Sequence, residues 1–214
     1  MRLRVVTLLI TVFLGFTAFA QEIDFQKLDS FVNHIESNER GVGSISIFKE
    51  GKEIYNRSFG QKYLGNIEYN NQTKYQIGSI TKMVTASLVF DLIENNKLQL
   101  NDNLSHFFPD IPNANTITIK NLLEHSSGLG DYVEKKDGSV MWLTQPVSEK
   151  EIIKEILEQG VLFEPNEKVL YSNSAYYLLT KIVESLYGKS YASIVAEKIA
   201  KPLNLGNFTS YSAK

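Results

Sequence analysis

Strand-like alternation occurs in only two places in this chain, both before residue 60. Ser44 to Phe48 and Lys52 to Phe59 read as two strands joined at Glu50-Gly51, a dipeptide suited to a tight hairpin turn. An amphipathic helix should precede them, from Asp24 to Ser37, with Phe25, Leu28, Phe31, Val32 and Ile35 on one face. After Phe59 the apolar spacing becomes helical. A two-stranded hairpin is rarely stable alone, and its outer edge and one apolar face call for further strands. No convincing strand follows. The expected architecture is therefore mixed α/β, an α+β sandwich whose antiparallel sheet is incomplete and whose larger part is helical.

The helical part divides at recognisable caps and breakers. A loop is expected around Tyr63 to Lys74, then a long helix from about Ser79 to Asn95, with Val84, Leu88, Leu92 and Ile93 at helical spacing. Pro109 and Pro112 mark Asn101 to Asn115 as a loop. Thr118 should cap a short helix reaching about His125. Ser148 and Glu151 form a capping box for a helix that Gly160 stops. Two more helices are predicted, from about Asn173 to Leu186 and from about Tyr191 to Ala200.

At 214 residues, with 43% apolar and 21% charged side chains, the chain can build a packed core, alone or as part of a larger one. Its formal net charge of -2 is spread among interspersed signs, so no nucleic-acid partner is expected. Residues 1–20 stand apart. Arg2 and Arg4 precede the apolar run Val5 to Phe16, and Ala18-Phe19-Ala20 has the form of a cleavage site for a secretory signal. The domain reading is a signal peptide over 1–20 and one domain over 21–214, exported to the periplasm or beyond. The apolar run is short for a membrane span, so a membrane contact is expected only if the signal stays uncleaved. The chain has no cysteine, which excludes disulfides, thiol catalysis and zinc-thiolate sites, and its three histidines are scattered. No cofactor or metal is expected.

Chemistry concentrates in two short groups. Ser79-Ile80-Thr81-Lys82 places a hydroxyl and an amine one helical turn apart, where side chains three residues apart can meet. Ser46 and Lys49 have the same spacing, but in a strand they point to opposite faces. Gly78 permits a tight bend before Ser79, and the positive end of the following helix favours an alkoxide or oxyanion nearby. A lysine in a partly dry cleft can accept a serine proton. The plainer alternative is a capping serine beside a solvated lysine. Tyr171-Ser172-Asn173 supplies a phenol that can relay a proton and an amide that can bind a substrate amide. Its plainer alternative is a packing aromatic followed by a helix cap.

Tyr75-Gln76-Ile77-Gly78-Ser79-Ile80-Thr81-Lys82 resembles the nucleophile segment of the serine β-lactamase and penicillin-binding-protein superfamily. The branch it resembles most holds the class C β-lactamases with their D-alanyl-D-alanine carboxypeptidase and esterase relatives. Leu98 to Asp102 with Phe108-Pro109 is similar to the loop after that segment. Ile117 to Leu129 resembles a segment ending in histidine, small hydroxyls, glycine and leucine. Phe163-Glu164-Pro165-Asn166 leads into Tyr171-Ser172-Asn173 as in that family, which usually has glycine where Asn166 stands, and Lys201 to Leu205 resembles a later turn. The collinear likeness runs from about residue 25 to 209. It implies a β-lactamase-like fold, with Ser79 as acylated nucleophile, Lys82 as base or proton carrier, Tyr171 as second proton-transfer group and Asn173 as substrate ligand. His125 is implied to hold a loop.

The family's third motif, a basic residue or histidine followed two positions later by glycine on a strand lining the other side of the site, is expected to be missing after Asn173. Gly188-Lys189-Ser190-Tyr191 lacks the final glycine and lies between two helices. The expectation is a C-terminally truncated form, weak or inactive by itself, because loss of one oxyanion donor already costs about 10²–10³ in rate. The implied activity is that of a secreted serine hydrolase forming an acyl-enzyme with amide, ester or β-lactam carbonyls. Its partner would be a small molecule or a peptidoglycan peptide, and the protein a monomer. The competing expectation is a non-catalytic peptidoglycan- or ligand-binding module with the same fold.

Overall fold

The computed structural model describes residues 23–65, 73–134, 138–140 and 147–209. The expected signal segment and residues 66–72 of the expected 63–74 loop lie outside them. The chain divides into two compact units between Thr73 and Lys74.

The first unit is a helix on a hairpin. Helix α1 (Phe25–Ser37) is capped by Asp24, whose carboxylate accepts from the Lys27 N–H at 3.0 Å. Strands β1 (Gly43–Lys49) and β2 (Lys52–Phe59) pair antiparallel, with a bulge at Ile47/Phe48. Glu50 and Gly51 both have positive φ, at 53° and 75°, the mirror-image turn that matches the twist of paired strands. Asp29 on α1 binds β2 by accepting from the Tyr55 hydroxyl at 2.7 Å and from Arg57 at 2.9 Å. Phe25 stacks on the Tyr55 ring, 5.8 Å between centroids. Ser46, one half of the misleading strand pair, donates across the hairpin to Glu53.

The second unit is built around α5 (Asn173–Tyr187). Ala175, Leu178, Leu179, Ile182 and Val183 are fully buried at the three- and four-residue spacing of one helical face. Each buried leucine or isoleucine contributes about 1.5–3 kcal/mol, so packing rather than helix propensity holds α5 in place. Against it lie α2 (Thr81–Glu94), α3 (Ile119–Leu123) and α6 (Tyr191–Val195). Leu88 and Leu92 of α2, Ile119 and Leu122 of α3, Ile156 of α4 (Glu149–Gln159) and Ile194 of α6 complete this core.

Caps set the helix ends. Thr118 with Asn121 and Ser148 with Glu151 form reciprocal capping boxes before α3 and α4. Boundaries differ from the sequence reading in three places. The expected helix at Ser79 opens with a 3₁₀ turn, Gly78–Ile80, and becomes α-helical at Thr81. The expected 191–200 helix is α6 followed by a wider π-type turn, Ala196–Ala200. The 101–115 loop contains a 3₁₀ turn, Leu104–His106, whose Leu104 is fully buried. Among the described residues, β1 and β2 are the strands of the sheet, and the other pairings are single bridges.

One such bridge, Leu129 with Val161, fixes the loop that leads to the helix-α5 entrance. Leu162 donates to the Gly128 carbonyl at 2.8 Å, and Gly130 to that of Gly160 at 3.0 Å. The backbones meet so closely that a Cβ on Gly128 would lie 1.9 Å from the Phe163 carbonyl oxygen. Gly188 shares a positive φ but has open space around it. Gly188→Ala should therefore cost about 1–2 kcal/mol from conformation alone. Gly128→Ala should cost about 3 kcal/mol or more, because overpacking is added. Urea unfolding of the two variants checks this contrast, and equal losses would contradict it.

Candidate active site

The 3₁₀ turn at Gly78–Ile80 decides where Ser79 points. Gly78 adopts φ 51°, and the turn runs directly into α2, so Ser79 caps neither helix with its side chain. Its hydroxyl lies 2.7 Å from the Tyr171 phenol oxygen. Lys82, in the first turn of α2, donates to the Ser79 Oγ at 3.5 Å and to the Asn173 amide oxygen at 2.7 Å. The structure thus brings Ser79, Lys82, Tyr171 and Asn173 into one cluster. Gly78, Ser79, Lys82, Thr85, Tyr132, Asn173 and Tyr176 line the adjoining groove of about 320 Å³. Asn173 is the first residue of α5, and Ser172 is its cap, accepting from the Ala175 N–H at 3.3 Å.

Tyr171 is placed by the chain before α5. Leu170 donates to the His125 carbonyl at 2.9 Å, and Asn166 to the Ser126 carbonyl at 2.9 Å. Asn166 has φ 69°, a conformation in which glycine is at home. Its side-chain oxygen accepts from Asn121 at 2.7 Å, a bond that glycine could not make. The Ser172 N–H donates to His125 Nδ1 at 3.2 Å. The His125 ring lies 4.7 Å from that of Tyr171 and 5.0 Å from that of Tyr176. An accepting Nδ1 requires the neutral imidazole with its proton on Nε2.

The electrostatics agree with this packing. Burial, then the charge of Lys82, pushes His125 below its ordinary value, against an opposing pull from Asp131. Burial raises the Tyr171 phenol, but Lys82 and the Ser79 hydrogen bond outweigh it and leave the phenol below its usual value. Lys82 Nζ lies 4.7 Å from the centre of the Tyr171 ring and 5.7 Å from that of Tyr176.

Asp131 escaped the sequence reading. Its Oδ2 accepts from the Asn173 backbone N–H at 3.1 Å and from the Asn173 side-chain amide at 2.8 Å. Nothing local distinguishes this aspartate, which follows Gly130 in a loop and meets its partner forty-two positions on. Among the described residues no group of three His, Asp or Glu could hold a metal ion.

The helical unit built round α5 has the fold of a penicillin-binding protein homologue. The Beta-lactamase family model matches residues 28–214, and the chain belongs to that family. It is similar to the teichoic acid D-alanine hydrolase of Staphylococcus aureus strain MRSA252, 28% identical over 89% of this chain and 45% of the relative. It also resembles the octameric penicillin-binding protein homologue from Pyrococcus abyssi, with a TM-score of 0.73 and 33% identity over 86% of this chain and 44% of that one. The D-amino acid amidase of Ochrobactrum anthropi SV3 matches with a TM-score of 0.68 and 25% identity, over 85% of this chain and 57% of its own. The chain spans about half the length of these relatives.

The depressed His125 has a consequence for stability. Below its ordinary value of 6.5 the unfolded chain binds a proton that the folded imidazole resists. The contribution is therefore complete above that value and is lost as pH falls through the folded one. Between about pH 7.5 and about pH 5.5, the wild type should lose more unfolding free energy than His125→Asn, a substitution that tolerates the φ of 56°. Urea titrations at the two pH values measure the difference, and an equal loss in both proteins would contradict it.

Proposed function

We propose that this protein is a serine acyl hydrolase, with Ser79 as nucleophile, Tyr171 as its proton acceptor, Lys82 as the charge that steadies the phenolate, and Asn173 as an amide ligand. The observation that carries the reading is the 2.7 Å contact between the Ser79 and Tyr171 oxygens, beside Lys82 at 3.5 Å. Sequence leaves open which group takes the serine proton first. The shorter contact and the lowered phenol favour Tyr171.

In the first half-reaction the Ser79 oxygen attacks the carbonyl carbon, and its proton passes to the Tyr171 phenolate. The tetrahedral oxyanion collapses, the bond to the leaving group breaks, and the Tyr171 proton goes to the departing nitrogen or oxygen. Water then repeats the sequence on the Ser79 ester, releasing the acid and the free serine. The positive end of α2, fourteen residues long, lies beside the place where negative charge develops.

The substrate class is the acyl amide, ester or β-lactam. The names teichoic acid D-alanine hydrolase and D-amino acid amidase both contain a D-amino acid. D-Aminoacyl esters and amides, free or on a peptidoglycan peptide, are accordingly the first substrates to try. We place the protein outside the cytoplasm on the basic, apolar and small-residue layout of residues 1–20. No helix among the described residues is long and apolar enough to cross a membrane.

A fluorophosphonate tests the nucleophile without requiring a finished substrate pocket. Ser79 displaces fluoride from phosphorus, and intact mass with peptide mapping should locate one adduct on Ser79. Ser79→Ala should take up none, and Tyr171→Phe should react about 10²–10⁴ times more slowly. An unlabelled wild-type protein, or an adduct on another residue, would contradict the hydrolase reading and favour a ligand-binding role.

A further inference from the structure

We infer that Asp131 is a positioning residue, which locks the Asn173 side-chain amide so that its oxygen faces Lys82. The inference rests on the acyl-transfer reading above and concerns how its proton-handling groups are held in register.

An asparagine amide has nearly the same shape in its two flipped orientations, so only its hydrogen-bond partners choose between them. Asn173 lies between two partners of opposite demand. On one side Lys82 Nζ, which carries only donors, lies 2.7 Å from Oδ1. On the other, Asp131 Oδ2, which can only accept, lies 2.8 Å from Nδ2. A flip would set amide hydrogens against the lysine and an amide oxygen against the carboxylate, two repulsive contacts in place of two favourable ones. The lysine alone would favour the same orientation, but lysine has a flexible four-carbon stem and can move away. The carboxylate is the partner that cannot.

Asp131 is itself held at both oxygens and on both sides in sequence. Oδ1 accepts from the Val133 N–H at 2.9 Å, and Oδ2 accepts from the Asn173 backbone N–H at 3.1 Å. The Ser174 hydroxyl donates to the Gly130 carbonyl at 2.6 Å and accepts from the Tyr132 N–H at 2.9 Å, stapling the loop to the first turn of α5. A chain of contacts therefore runs from the loop through Asp131 and Asn173 to Lys82, and ends at the Ser79 hydroxyl.

Asp131 also stands at the positive end of α5, where any carboxylate favours the helix. That structural role and the positioning role predict different couplings. The decisive experiment measures the second-order rate of Ser79 labelling by a fluorophosphonate, with melting temperature alongside. It compares wild type, Asp131→Ala, Asn173→Ala and the double variant. Asp131→Ala should slow labelling by about 10–100-fold, the range found when a hydrogen-bonding group that orients a metal ligand is lost. In the Asn173→Ala background the same deletion should change the rate less than about twofold, since its effect passes through that amide. Asp131→Asn offers one oxygen where the donors use two, and should fall between wild type and Asp131→Ala. If Asp131→Ala does not fold, Asp131→Asn replaces it in the cycle with the same expected coupling. A wild-type rate in Asp131→Ala, or an equal loss with and without Asn173 that follows melting temperature, would overturn the inference and leave the hydrolase reading standing. Absence of labelling in the wild type would remove both.

Discussion

The contact between α2 and α5 governs everything else in the second unit. One helix carries Lys82 in its first turn and follows the 3₁₀ turn that holds Ser79, the other carries Asn173 in its first turn and is entered through Tyr171. A shift of an ångström between them would part the hydroxyl from the phenol. The buried face of α5 against Leu88 and Leu92 supplies the driving force, but apolar packing alone permits sliding. Polar ties from α2 to α5 and to the segment that follows α5 restrict it. Tyr187 of α5 donates to Asp91 of α2, Lys198 pairs with the same carboxylate at 3.0 Å, and Thr85 meets the Tyr191 hydroxyl at 2.8 Å.

The second constraint is that Tyr171 is exposed while its backbone is not free. Its side chain is about half exposed, yet the adjoining Ser172 is buried and its N–H is held by His125. The loop from His125 to Asp131 therefore acts as a frame: His125 fixes the backbone after the phenol, and the residues beyond it bond to the segment from Gly160 onward. Electrostatics follow from this frame. Lys82 lies near enough to favour a phenolate at Tyr171 and to disfavour an imidazolium at His125. One positive group thus biases two neighbours in the directions that a proton-accepting phenol and a neutral, hydrogen-bonded imidazole require.

Much of this was legible residue by residue. The helical spacing of Val84, Leu88 and Leu92, the capping boxes at Thr118 and Ser148, and the hairpin at Glu50-Gly51 are local signals, and the corresponding elements formed within a few residues of their expected limits. Ser79 with Lys82 and Tyr171 with Asn173 could be singled out because each group is short and lies at the start of an expected helix. Asp131 could not, since its partners are defined by a contact between a loop and a distant helix start. The 3₁₀ turn before α2 was hidden for a related reason: helix-period apolar spacing does not distinguish three residues per turn from 3.6 over so short a stretch. The resemblance implies that His125 holds a loop, and only the fold shows that the group it holds is the Ser172 amide.

The central claim is that Ser79, Lys82 and Tyr171 form one charge-coupled site rather than three neighbouring surface groups. An NMR titration of isotope-labelled tyrosine ring carbons, with the Tyr171 signal assigned through Tyr171→Phe, tests it without any substrate. The account predicts a Tyr171 phenol that titrates below the ordinary value of 10.0 and moves upward in Lys82→Met, where burial is left unopposed by the amine. A Tyr171 signal that titrates at the ordinary value and does not respond to Lys82→Met would contradict it.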